Sequence, residues 1–149
     1  MNKKIKEKKR IRMKNKNLCK RYPFLMVRYW KTDKPTGYIY TWLDDMPDGW
    51  RRAFGIQMCE EIREVLVKKN RLYTYRIAQV KEKFGGLRWY DYGGTPEIDR
   101  IIYKYEDISY RTCICCGRPA TKMSRGWICP YCDECAEKIG GEYRDIEEN

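Results

Sequence analysis

Cys113-Ile114-Cys115-Cys116-Gly117-Arg118-Pro119, then Gly126-Trp127-Ile128-Cys129-Pro130-Tyr131-Cys132-Asp133-Glu134-Cys135, is the stretch on which the fold turns. It holds two C-x2-C pairs, Cys113/Cys116 and Cys132/Cys135, with 15 residues between Cys116 and Cys132. That spacing is typical of structural zinc. Two residues between cysteines let a tight turn aim both sulfurs at one ion, and Gly117 sits where such a knuckle often needs positive φ. Cys132 to Ile139 reads as the first turn of a helix carrying the second pair. A short polar loop before it leads to Trp127, whose ring is expected to cover the site. Knuckle, short hairpin and ligand-bearing helix make a treble-clef arrangement. The chain has no histidine, so the site is most simply built from four cysteines. Four thiolates close the tetrahedron and leave no position for substrate, which makes the Zn2+ structural. Two alternatives stay open. Cys129/Cys132 is also C-x2-C, and Cys115 lies inside the first knuckle, where it could replace a neighbour. Cys59 reads as a small apolar core residue and Cys19 as a free thiol in or near the N-terminal segment.

The chain around this stretch has 149 residues, one domain of ordinary size. Lack of histidine excludes His-based triads, HNH-type nucleases, HExxH peptidases and two-His iron sites. The longest uncharged run, Pro35 to Leu43, is nine residues, far short of the ~18 a membrane span needs. No apolar h-region follows the basic N-terminus, so no signal peptide and a cytoplasmic location are expected. Eight cysteines in such a chain point to metal binding.

Lys and Arg number 32 against 21 Asp and Glu, a net charge of +11. Residues 1–21 hold eleven of those cations and one acid, Glu7. The protein is a nearly neutral body carrying a cationic arm. Ile5, Ile11, Met13 and Leu18 are the arm's only apolar residues besides Met1 and Cys19, so we expect it to be disordered when free. It reads three ways: a phosphate-tracking tail using Lys3, Lys4, Lys6, Lys8, Lys9, Arg10 and Arg12, a solvated tail, or, before Met13, the product of a misplaced start.

The body, residues 22–112, reads as α+β. Tyr22 to Val27 and Tyr38 to Leu43 are expected to form one or two short strands. Asp44 to Gly49 is a loop in which Asp48 can cap the next helix. Trp50, Phe54, Met58, Ile62 and Leu66 recur every four residues and mark an amphipathic helix over 50–69. Leu72 to Lys81 and Leu87 to Tyr92 form a β-hairpin around Gly85-Gly86, with a bulge or longer turn expected near Lys83-Phe84. Thr95 caps a second helix with Pro96 in its first position. The zinc module, 113–141, packs on this body, and residues 142–149 form an acidic tail.

Asp44, Asp45 and Asp48 could hold Mg2+, but capping and turn chemistry is the favoured reading. No base–nucleophile constellation is present, so the chain is expected not to be an enzyme. Aromatic and basic residues interleave at Arg28-Tyr29-Trp30-Lys31, Tyr73-Thr74-Tyr75-Arg76 and Arg88-Trp89-Tyr90. Such surfaces stack single-stranded bases or anchor protein interfaces, and they also serve as ordinary core.

Asp48-Gly49-Trp50, Gln79-Val80-Lys81-Glu82-Lys83-Phe84-Gly85-Gly86-Leu87-Arg88-Trp89-Tyr90, Cys113-x-x-Cys116-Gly117 and Gly126-Trp127 leading to Cys132-x-x-Cys135 together resemble a family of small phage- and prophage-encoded proteins. The resemblance runs from about residue 46 to 136 and implies a source and a zinc site rather than an activity. The basic arm, Cys115 and Cys129 depart from the family pattern. By analogy, small phage zinc proteins of this make-up include anti-CRISPR inhibitors of type II RNA-guided nucleases. The leading expectation is therefore a non-enzymatic inhibitor that binds such a nuclease in a bacterial host and blocks its nucleic-acid binding. The alternative is a direct DNA- or RNA-binding zinc protein that uses the arm.

Overall fold

In the computed structural model, which describes residues 2–147, the basic arm is not disordered; it forms helix α1 (Lys3–Arg21). Met1 of the arm and Glu148 and Asn149 of the acidic tail lie outside the described residues. Charge density argues against order only where nothing offsets it, and the last two turns of α1 have partners. Asn15 is buried and its Nδ2 donates to Tyr38 O at 2.8 Å. Leu18 and Cys19 pack on the core, and burial pushes the Cys19 thiol up to about 11 against the lowering effect of Arg28. At the end of the helix, Glu60 receives Arg21 Nη2 at 2.5 Å and Tyr22 OH at 2.6 Å. Arg63 Nε donates to Arg21 O at 3.0 Å, meeting a carbonyl left over at the helix terminus. The side chains from Lys3 to Lys14 are exposed.

Residues 22–47 do not form the expected strands. Two 3-10 turns, Pro23–Leu25 and Trp42–Asp45, flank a loop closed only by isolated bridges, Met26 with Thr41 and Arg28 with Pro35. Prolines at 23 and 35 offer no N–H, so a regular ladder cannot run. Phe24, Leu25, Met26 and Leu43 are buried nonetheless. Of the acidic cluster only Asp44 does capping work, its Oδ2 accepting from Thr41 N at 2.8 Å; Tyr40 OH donates to Asp45, and Arg51 pairs with Asp48 at 2.7 Å. Pro47, not Asp48, is the cap of the following helix, and Asp48 is its first residue.

That helix, α2 (residues 48–68), is the spine of the body. Its apolar row repeats every four residues, whereas an α-helix turns every 3.6, so each step overshoots by about 40°. The π-helical segment Arg51–Gly55, set between the turn Asp48–Trp50 and the α-helical run Ile56–Lys68, absorbs part of the excess. Trp50, Phe54, Met58, Ile62 and Leu66 all end up buried, with Cys59 beside them.

Strands β1 (Arg76–Lys83) and β2 (Gly86–Tyr92) form the antiparallel hairpin. The turn is tighter than expected. Only Phe84 (φ 53°) and Gly85 (φ 85°) lie between the strands, the two left-handed residues of a type I′ turn. The bulge sits at the other end, where the register shifts between Ile77 and Gln79. Helix α3 (Pro96–Ser109) packs on β2 and α2, with the Thr95 hydroxyl accepting from Ile98 N at 3.3 Å as its cap. Inside the core, Tyr75 OH donates to Asp91 at 2.6 Å and accepts from Trp89 Nε1 at 3.1 Å. Tyr75 and Trp89 are therefore core residues, not surface stackers.

The last 35 or so residues form the cysteine module: β3 (Lys122–Ser124), β4 (Pro130–Tyr131), helix α4 (Asp133–Ile139) and β5 (Tyr143–Asp145), in the antiparallel order β4-β3-β5. The segment expected to be only an acidic tail supplies the third strand. Among the described residues, no helix is long and apolar enough to cross a membrane.

Candidate metal centre and the surfaces around it

The four expected ligands meet. The sulfurs of Cys113, Cys116, Cys132 and Cys135 all lie within 4.8 Å of one another. Cys116 Sγ and Cys132 Sγ are 3.7 Å apart. A tetrahedral ion with metal–sulfur bonds of 2.3 Å would set its ligands about 3.8 Å apart, so the spacing fits one ion among four thiolates. Cys115 is exposed and Cys129 points elsewhere, so neither displaces a predicted ligand.

Local structure explains the convergence. Gly117, with φ 85°, turns the chain after Cys116, and its N–H bonds Cys113 O at 3.0 Å. Burial raises the Cys113 thiol, but the N–H groups of Cys116, Cys132 and Cys115 outweigh it and bring it down to about 7. Backbone donors aimed at sulfur are what a bound thiolate needs. Cys132 doubles as the cap of α4, its Sγ accepting from Cys135 N at 3.4 Å.

The module is seated on α2 by one backbone bond and one indole bond. Gly49 N donates to Ile114 O at 2.8 Å, and Trp50 Nε1 donates to Thr112 O at 2.9 Å. A Cβ on Gly49 would overlap Cys113 O, and one on Gly117 would sit 2.6 Å from Gly49 O. The Asp48-Gly49-Trp50 motif is thus the seat of the knuckle. The hairpin motif is clamped in the same way to the end of α3. Gly86 has no room for a Cβ against the Tyr110 ring, Leu87 N donates to Ser109 Oγ at 2.8 Å, and Arg88 pairs with Glu106 at 2.8 Å.

Trp127 does not cover the cysteines. It is 80% exposed, and its Nε1 donates to Glu82 Oε1 at 2.8 Å, across from the hairpin tip. Cys129 Sγ reaches the same carboxylate at 3.5 Å, and burial, then Glu82, pushes its thiol up to about 12. Phe84, 68% exposed, joins Trp127 and Ile128 around an apolar cleft of about 260 Å³.

No protein-family model, curated protein or solved structure matches the chain.

Seven arm cations named in the sequence, Lys3, Lys4, Lys6, Lys8, Lys9, Arg10 and Arg12, lie on the exposed part of α1. Among the described residues only Arg10 of the seven has an ion-pair partner, Glu7 at 2.6 Å. Sequence reasoning missed Asn15, Glu60 and Arg63, the residues that hold this helix to the body. The signal for Glu60 was absent, because a charged residue on a helix face reads as solvated.

Proposed function

We propose that this protein binds nucleic acid through the phosphate backbone, with α1 as the binding element and a structural Zn2+ holding the C-terminal module. One observation carries the reading: a helix of about 28 Å, at 1.5 Å per residue, that is exposed and cationic along its first dozen residues yet anchored at its far end. An anchored helix presents its charges in fixed positions, and phosphate contacts fix register on a duplex without reading sequence. The four-thiolate site suits zinc because soft sulfur and a closed tetrahedron leave no catalytic position.

The test is the salt dependence of duplex binding. The six unpaired cations among Lys3, Lys4, Lys6, Lys8, Lys9, Arg10 and Arg12, at one phosphate each, account for a slope of about −5 in log K against log salt and a loss of about 10³-fold between 50 and 200 mM. A variant with Lys3, Lys4, Lys6, Lys8, Lys9, Arg10 and Arg12 all changed to Gln should lose most of that slope. A slope unchanged in the variant, read by anisotropy on a 20-base-pair duplex, removes α1 from the interface.

A second reading keeps the expected inhibitor of a type II RNA-guided nuclease in the bacterial cytoplasm, and the Phe84–Trp127 cleft favours it. Phe84 is a bulky, exposed residue at φ 53° in a turn that prefers Asn or Gly. A strained, exposed aromatic beside an exposed Trp has the make-up of a protein anchor. Inhibition of target cleavage that survives a large excess of unrelated DNA supports this reading; inhibition relieved by that DNA supports the first.

A further inference from the structure

Two of the three aromatic–basic segments in the sequence come together in space. Residues 26–36 fold over the start of β1 and leave a groove of about 860 Å³ between them. Arg28 and Trp30 line it from the loop; Arg76 and Tyr92 line it from the hairpin. Asp33 ties the two sides together: Arg76 Nε lies 3.4 Å from its carboxylate, and Arg28 Nη1 donates to its backbone oxygen at 2.8 Å. Asp33 holds φ 56° to do so, a left-handed conformation that Asp tolerates. Arg28 Nε is buried with no acceptor among the described residues. Around the groove the rings are open to solvent: Trp30 is 89% exposed, with Lys31 Nζ 5.2 Å from its ring centroid, and Tyr92 is 68% exposed.

Buried indoles and phenols need no wet groove, so rings left this open at a site lined by guanidinium groups call for a ligand with flat faces and negative charge. Lys31 and Lys34 lie in the same loop, so cations outnumber the single acid there. Bases stacked on aromatic faces, with phosphates tracked by Arg and Lys, are the general solution for single-stranded nucleic acid. A duplex hides its base faces and gains nothing from Trp30. The loop also connects to the proposed backbone-binding element, because Tyr38 O accepts from Asn15 of α1.

We propose that this groove is a stacking site for single-stranded nucleic acid, with Trp30 and Tyr92 as platforms and Arg28 and Arg76 as the phosphate side. This deepens the nucleic-acid reading of α1 but occupies a different surface. The test uses the full chain, fluorescein-labelled dT15 and a labelled 20-base-pair duplex. Trp30→Ala and Tyr92→Ala alter exposed side chains, so folding should survive; circular dichroism checks it. Each should weaken dT15 binding by about 5- to 150-fold, the range that one stacked base commands, and leave duplex binding unchanged. Trp30→Phe should recover part of the loss. If dT15 does not bind, or binds equally to wild type and both alanine variants, the groove proposal falls, whatever α1 does. If dT15 binding depends on Trp30 while the duplex does not bind, the groove stands and the reading of α1 falls. A groove that takes a peptide instead would show as the first of these outcomes.

Discussion

Gly49→Ala is the sharpest test of how the metal module joins the body. The added methyl would overlap Cys113 O, which is backbone and cannot rotate away. Either the knuckle or the start of α2 must shift. That shift breaks the bond from Gly49 N to Ile114 O and strains the one from Trp50 Nε1 to Thr112 O, now 2.8 and 2.9 Å. Both lie in buried surroundings, where an unmet polar group costs about 1–3 kcal/mol. The expected loss is therefore about 2–6 kcal/mol, or a fall in Tm of roughly 6–18 °C at about 3 °C per kcal/mol for a chain of this size. Gly55→Ala is the control. Gly55 lies in the same helix with right-handed backbone, and its Cβ would meet side-chain atoms at 3.4 to 3.6 Å, ordinary contact. There, exchange of Gly for Ala in a helix should be neutral or stabilising by up to about 1 kcal/mol. Thermal unfolding gives both numbers, and metal transfer to a chromophoric chelator gives a third, since a displaced knuckle should release metal faster. Equal Tm values for the two variants would refute the seat described for the knuckle.

The metal site, the clamp on α1 and the hairpin turn each carry a further expected outcome. Cys132→Ser, or chelation of the metal, should remove stabilisation on the order of 10 kcal/mol from the module and expose Trp50, now fully buried; a red shift in tryptophan emission with loss of the β3–β5 signals in amide exchange checks it. Glu60 is held below the ordinary carboxylate range by its hydrogen bond from Arg21, then by that from Tyr22. A lowered folded value gives stability that is present above the ordinary carboxylate pKa and lost as pH falls through the lowered one. Glu60→Gln should therefore be less stable than wild type at pH 7, and the gap should close in acid; a gap that persists unchanged at pH 2 would contradict the clamp. Phe84→Asn should raise Tm modestly, since Asn suits the first left-handed position of a type I′ turn, while weakening any partner that docks at the Trp127 cleft; a destabilised variant would mean Phe84 packs in a way its exposure does not suggest.

Elements with a short-range signature were legible in the sequence. The paired C-x2-C spacing named all four cysteines that meet, Gly117 was placed at a positive-φ turn, and Thr95-Pro96 announced the start of α3. The helix 50–69 was legible from its repeat, but the π-helical insertion was not, because a four-residue spacing read at low precision passes for 3.6. Other features depended on distant partners. Trp127 was assigned to the metal site because it lies close in sequence, yet Glu82, 45 residues away, captures its indole N–H. The order in α1 rests on Glu60, Arg63 and Tyr38, none of which lies within the segment. The charges within residues 1–21 carry no trace of them.

Helix α2 links the cysteine module to α1. Its first turn seats the cysteine knuckle through Gly49 and Trp50, and its middle holds α1 through Glu60 and Arg63. The π-helical segment Arg51–Gly55 lies between these attachment points. About ten residues of helix, or 15 Å at 1.5 Å per residue, separate Trp50 from Glu60, and the intervening side chains Phe54, Met58 and Cys59 belong to the body's own core. None of the four cysteines that meet belongs to that core. Loss of a metal held there should therefore loosen the first turn of α2 and spare the clamp on α1. The metal-free protein should then keep salt-dependent duplex binding while its C-terminal module exchanges freely. If chelation abolished duplex binding as well, the module itself would have to contact the nucleic acid, and the basic stretch from Arg111 to Arg125 would be the place to look.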